Sequence, residues 1–308
     1  MTNQPTTVDL GQRRGRLAVA IGRRLGGDGG YHQFHAPRYG VLLQEVDRAL
    51  VPVAGRMLDI GPTAFSDLMS QQFGLPVDSL GFDPDAPLRR GRHYRFDLND
   101  TQSPDRWRGD LPRYDVVVMA EVIEHLHVSP LHVLSFLRAL VRPGGHVVVQ
   151  TPNAARLGAR AKLVLGRNPY ALIKEDPTEP GHVREYTMRE LCRYAHGAGF
   201  AVVRCIRSSY FDPRFGDGDP GRRPAASSGL LKVAYQVLPP ALRTGITVVL
   251  RRPGAEAADG IDAPAQGEAG VLGGVRDVSG TSAVCRERSV GDLHRLTPPG
   301  RGLQVVPG

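Results

Sequence analysis

Between Arg56 and Asp67 the chain reads Arg-Met-Leu-Asp-Ile-Gly-Pro-Thr-Ala-Phe-Ser-Asp. A short apolar strand ends in an acid and a glycine, and Phe65, Leu68 and Met69 then follow at helical spacing. A strand that turns directly into a helix is where an α/β protein places a nucleotide-like cofactor, because backbone approaches a ligand closely only where no side chain intervenes.

The rest of the chain repeats this alternation. Leu42, Leu43, Val46 and Leu50 predict a helix over Tyr31 to Leu50, and Arg56 to Ile60 is the first strand. Strands are expected at Ser79 to Phe82, just before Asp97, at Tyr114 to Met119 and at His146 to Gln150. Tyr-Asp-Val-Val-Val-Met is apolar enough for a strand covered on both faces. Leu134, Leu137, Leu140 and Val141 mark a helix that Pro143-Gly144-Gly145 should terminate. Thr187-x-x-Glu190 is a capping box that opens another helix, and Ala201 to Ile206 and Gly245 to Leu250 complete the set as an antiparallel terminal pair. The expected fold is a doubly wound α/β sheet of seven mostly parallel strands.

Two segments fall outside the alternation. Residues 154–182 carry Leu157, Leu163, Val164 and Leu165 before a Gly166-Arg167-Asn168-Pro169-Tyr170 turn, which predicts a helical cap over the carboxyl end of the sheet. Leu230 to Leu250 reads either as a segment lying on a membrane surface or as a helix packed on the core before the final strand. Residues 1–30 read as a flexible basic tail, residues 31–253 as the folded domain, and residues 254–308 as a disordered tail rich in Gly, Ala, Arg and Pro.

With 308 residues, 41% of them hydrophobic, the chain can bury one substantial core. Its formal charge of +8 comes almost wholly from scattered arginines, since lysine occurs only at positions 162, 174 and 232. Scattered cations fit a solvated basic surface better than a nucleic-acid stripe. Cys192, Cys205 and Cys285 lack the close spacing of a zinc ribbon or a Cys-x-x-Cys redox pair, so a reducing cytoplasm is expected. No apolar run reaches the roughly 20 residues that span a bilayer.

Asp83 stands 22 residues after Gly61, at the end of the second strand, from where a carboxylate can accept both hydroxyls of a ribose. A nicotinamide dinucleotide needs Gly-x-Gly-x-x-Gly to admit its pyrophosphate. Here the turn is Gly61-Pro62-Thr63-Ala64-Phe65-Ser66, with the first glycine alone. An adenosyl ligand without phosphates needs no more than that.

These motifs in this order resemble the class I S-adenosylmethionine-dependent methyltransferases, over roughly Tyr31 to Pro253, and look most like the type 11 and type 23 methyltransferase domains. The resemblance implies that Asp59 and Gly61 position the methionine part of the cofactor. Asp83 would hold its ribose, Asp97 and Leu98 would meet the adenine edge, and Glu121 would touch the cofactor. Leu140-Val141-Arg142-Pro143-Gly144-Gly145 is similar to the family's turn before the fifth strand. Pro62-Thr63 departs from the glycines common in the family.

Methyl transfer from a sulfonium requires an acceptor held in line, exclusion of water and, for a hydroxyl acceptor, removal of a proton. Glu121, Glu124 and His125 are expected to open a helix, Glu121 sharing a face with His125 at i,i+4 and with Glu124 at i,i+3. His182 lies where the cap returns to the core. In one reading His125 or His182 is a general base oriented by Glu124. In another, Glu121, Glu124, His125 and His182 bind a divalent cation that lowers the acceptor's pKa, in a pattern similar to the small-RNA 3′-terminal 2′-O-methyltransferases. In a third, Glu121 touches the cofactor while Glu124 and His125 cap their helix.

The expected enzyme is an O-methyltransferase acting on a hydroxyl of a sugar-containing or small polar metabolite. A looser resemblance to methyltransferases of bacterial glycan and lipid-linked sugar assembly points to the same acceptors. The alternatives are a metal-assisted RNA 2′-O-methyltransferase and a non-catalytic adenosyl-binding module. The expected cofactor is S-adenosylmethionine, with a divalent metal left open; the expected partner is a small molecule or glycan, with peripheral membrane contact left open.

Overall fold

The computed structural model describes residues 31–50, 55–82, 90–175, 181–212 and 237–254, together with Val233. The tails expected over residues 1–30 and 254–308 lie outside the described residues, apart from Gly254, as does most of the segment expected to form a helix before the last strand.

Seven strands form one sheet: β1 (Met57–Ile60), β2 (Val77–Gly81), β3 (His93–Arg95), β4 (Tyr114–Ala120), β5 (Val141–Pro152), β6 (Ala201–Ser208) and β7 (Gly245–Arg251), in the order β3-β2-β1-β4-β5-β7-β6. The first five pair in parallel, and β7 runs antiparallel to both β5 and β6. The sheet is therefore α/β, doubly wound and mostly parallel.

Alternation along the central strand explains the two-sided core. Val117 and Met119 face one layer with α3 (Pro130–Leu140) and α5 (Met188–Gly197). Val116 and Val118 face the other, with α1 (Tyr31–Leu50) and α2 (Ala64–Phe73). The central strands β1 and β4 bury both faces, as their near-continuous apolar runs required, whereas the edge strand β3 does not.

Local chemistry sets the helix ends. Thr63 caps α2 by accepting from the Phe65 amide at 3.2 Å, with Ser66 completing the capping box. Pro62-Thr63, the departure from a glycine-rich turn, is thus a helix start. Ser129 caps α3 with Pro130 at its first position, and the Thr187/Glu190 box opens α5.

Two expected boundaries move. α3 stops at Leu140 and β5 begins at Val141, so Pro143-Gly144-Gly145 lies within the strand and does not act as a helix stop. The Gly144 and Arg252 amides continue the ladder there by donating to Arg252 and Gly145 carbonyls. Nor does a helix open at Glu121. That residue takes φ 57, a 3-10 turn spans Ile123–His125, and α3 starts only at Pro130. The Glu121 amide donates to the Gln150 carbonyl at 2.8 Å, so the residue is still tied to the strand ladder.

The cap contains α4 (Leu157–Val164) directly after β5. Its apolar residues do not turn inward: Leu163, Val164 and Leu165 are 60%, 87% and 70% exposed.

Candidate active site

Strand register brings the site together. Ile60 pairs with Met119 and Ala120 with Gln150, so the ends of β1, β4 and β5 sit side by side at the carboxyl edge of the sheet. Gly61 and Glu121 leave β1 and β4 there, and Thr151 lies near the end of β5.

At the β1 end, Gly61 has φ +73, and a Cβ there would lie 2.8 Å from Val122 Cγ2. Backbone alone fits that corner. Asp59 is buried, and Ser66 Oγ donates to its Oδ2 at 2.6 Å. Burial raises the Asp59 carboxyl to about 7, against the lowering effect of Ser66. Asp83 lies outside the described residues. Leu98 is buried, and Asp97 accepts from the Asn99 amide at 2.9 Å to start a 3-10 turn. Asn99 Oδ1 in turn accepts from the His127 amide at 2.8 Å, tying this turn to the loop after His125.

At the β4 and β5 ends, Glu121, Glu124, His125 and His182 face one another, although no helix face carries them. Glu124 is fully buried; its Oε2 accepts from Thr151 Oγ1 at 2.8 Å, while its Oε1 has no hydrogen-bond partner among the described residues. Glu121 Oε1 is likewise buried without a partner, and its other oxygen lies 3.4 Å from Arg38. Burial raises both carboxyls above their ordinary value. Arg38 opposes the rise at Glu121, and Glu121 adds to it at Glu124. The unpartnered oxygens mark buried polar atoms that the described protein atoms do not satisfy.

The two imidazoles meet edge to face, 4.9 Å between centroids. His125 Nδ1 lies 2.7 Å from the Gly181 carbonyl oxygen, so Nδ1 carries the proton and Nε2 is left as an acceptor. Burial lowers the pKa of His125, which keeps it neutral. His182 Nδ1 lies 3.2 Å from Glu185 Oε1, and Arg156 donates to the other Glu185 oxygen. Burial would raise the Glu185 carboxyl, but the bonds from His182 and Arg156 outweigh it and hold it low. An ionised carboxylate therefore orients His182 with Nε2 free. One ligand atom from each of Glu124, His125 and His182 falls in a group whose members all lie within 4.8 Å of one another, a spacing that could hold a cation.

Thus the hydrogen-bond partner of His182 Nδ1 is Glu185, while Glu124 bonds Thr151. Sequence reasoning missed Glu185, Arg38 and Thr151. The i,i+3 spacing of His182 and Glu185 was the one available signal.

Residues 34–204, more than half of the chain, match the model of a methyltransferase domain family, type 23. A ubiquinone biosynthesis O-methyltransferase of Aeromonas salmonicida (strain A449) is 35% identical over 114 residues, which is 37% of this chain and 43% of that relative; the chain thus spans less than half the length of this curated relative. Among solved structures, the chain is similar to the N-methyltransferase NodS of Bradyrhizobium japonicum in complex with S-adenosyl-l-homocysteine (14% identity, 79% of this chain and 97% of that one, TM-score 0.42). It is also similar to a SAM-dependent methyltransferase from Archaeoglobus fulgidus (14% identity, 69% and 94%, TM-score 0.43). The chain belongs to this methyltransferase family.

Proposed function

We propose, from that membership, that the chain O-methylates a hydroxyl of a sugar-containing or other small polar acceptor, with His182 as general base and Glu185 as the residue that orients it. The observation that carries this reading is the His182–Glu185 pair, which leaves Nε2 free beside the ends of β4 and β5. A hydroxyl acceptor, a weak nucleophile while protonated, is served by such a base. The partly matching relative is named for O-methylation, which agrees.

The cofactor would be held by Asp59 and by the bare backbone at Gly61, where a Cβ would meet Val122, with Asp97, Leu98 and Glu121 lining its further parts; Asp83 is the expected ribose acid. Bound there, S-adenosylmethionine supplies a methyl group on a positively charged sulfur. His182 Nε2 takes the hydroxyl proton as the acceptor oxygen becomes nucleophilic, and the imidazolium that forms is stabilised by the Glu185 carboxylate. His125 packs against His182 and holds its ring angle.

Transfer of labelled methyl to a panel of hydroxylated acceptors, with amines as controls, tests this directly. Labelling of amines alone would overturn it. In calorimetry, S-adenosylhomocysteine is expected to bind and NAD is not.

A second reading rests on the buried unpartnered Oε1 of Glu124 and the ligand-like grouping of Glu124, His125 and His182. A divalent cation there would lower the acceptor's pKa. Thorough chelation should then abolish turnover and magnesium or manganese restore it; an unchanged rate would leave His182 as the base.

A further inference from the structure

Residues 157–175 pose a packing problem that the methyltransferase chemistry does not answer. Of these residues only Ala159 and Pro169 are buried. α4 has eight residues, too few to be stable in water by propensity alone, and Ala159 is its one buried side chain. Its carboxyl end and the loop beyond instead expose Leu163 (60%), Val164 (87%), Leu165 (70%), Leu172 (92%) and Ile173 (58%). Monomeric proteins seldom leave so many large apolar side chains uncovered within one short segment.

The charges of the same segment say what covers it. From Ala154 to Lys174 there are five cations, Arg156, Arg160, Lys162, Arg167 and Lys174, and no aspartate or glutamate; acids resume only at Glu175. Arg156 is used inward, on Glu185. The loop folds back on the helix end, with the Arg167 amide donating to the Lys162 carbonyl at 2.8 Å and Lys162 Nζ reaching the Pro169 carbonyl at 3.5 Å. Cationic stems thus lie among aliphatic tips. Aliphatic tips are poor stacking partners for bases, which disfavours nucleic acid. Lysine and arginine flanking leucine, valine and isoleucine on a short surface helix match the boundary between headgroups and acyl chains.

We propose that this face of the cap, α4 with residues 165–174, docks on the surface of an anionic phospholipid bilayer. Leu163, Val164, Leu165, Leu172 and Ile173 enter the acyl boundary while Arg160, Lys162, Arg167 and Lys174 meet headgroup phosphates. α4 follows β5 directly at the carboxyl edge of the sheet, so docking sets the acceptor side of the enzyme against the membrane. The inference does not depend on the acceptor or on His182, and its test needs no turnover.

The test is co-sedimentation of the full chain with vesicles of phosphatidylcholine alone and of phosphatidylcholine with phosphatidylglycerol. Binding at least about tenfold tighter to the anionic vesicles, weakening with salt, is expected. The triple variant Leu163→Asp, Val164→Asp, Leu165→Asp should lose at least about tenfold in vesicle affinity while keeping its affinity for S-adenosylhomocysteine. Leu172→Asp, a single change at the most exposed of these positions, should lose part of it. Full binding by both variants would place the contact elsewhere, for example in the arginines of residues 1–30, and overturn the proposal. Absence of vesicle binding, or an oligomer that the triple variant dissolves, would overturn it as well.

Discussion

The β1–α2 turn and the cluster at the ends of β4 and β5 stand side by side, yet they are built in opposite ways. Asp59, Gly61, Thr63 and Ser66 lie within eight consecutive residues, and their polar groups satisfy one another: Ser66 donates to Asp59, and Thr63 caps the helix that carries Ser66. The cluster gathers Arg38, Glu121, Glu124, His125, Thr151, His182 and Glu185 from four separate segments, and among the described residues it leaves Glu121 Oε1 and Glu124 Oε1 unpartnered. A local, internally satisfied turn is a rigid cradle before any ligand arrives. A long-range cluster with unsatisfied buried oxygens is completed by what binds to it.

The contrast predicts that the two regions fail separately. The largest effect is expected for His182→Ala, which should lower kcat by about 100- to 10,000-fold while S-adenosylhomocysteine affinity stays within about threefold. A loss of less than about tenfold would move the base elsewhere. Gly61→Val should do the reverse: a β-branched residue at φ +73, with its Cβ against Val122, should weaken S-adenosylhomocysteine binding about 100-fold by calorimetry while circular dichroism still reports a folded protein. Unaltered binding would show that the cofactor does not approach this corner.

Glu185→Gln should lower kcat about tenfold with little change in KM, with partial rescue by Glu185→Asp. Equal loss in both variants would assign Glu185 to anchoring Arg156 alone. On the cradle side, burial raises Asp59 to about 7, so its carboxyl is protonated below that pH. If the ionised form receives the ammonium group of the cofactor, affinity for S-adenosylhomocysteine weakens by up to about tenfold per pH unit below 7 and levels off above it. Asp59→Asn should bind weakly with that slope gone; a wild-type profile without a slope there would sink the pairing. The smallest effect concerns neither region. Thr187→Ala removes the cap of α5 and should cost about 1 kcal/mol in denaturant unfolding, leaving ligand binding intact.

Much of the frame was legible because it rests on short-range chemistry. The Val-Val-Val run of β4 required two covered faces, Thr187 and Glu190 announced α5, and the lone Gly61 with Asp59 selected a ligand without phosphates. The departure at Pro62-Thr63 also has a local cause, the capping box with Ser66. The helical face expected for Glu121 and His125 failed for a non-local reason. The Glu121 amide is tied to the Gln150 carbonyl on β5, and the chain turns there through φ 57. Nothing in the order of residues near 121 encodes that bond.

Sequence alone determined the fold class, the position of the cofactor turn and the set of residue types available for chemistry, since period, capping and turn preferences act over a few residues. Tertiary structure decided which groups act together. Strand register put β1, β4 and β5 ends in line, the return of the cap paired His182 with Glu185 and not with Glu124, and α1 brought Arg38 to Glu121. It also turned the leucines and valines of the cap outward, where a helical pattern by itself does not distinguish a face that meets the core from one that meets a partner.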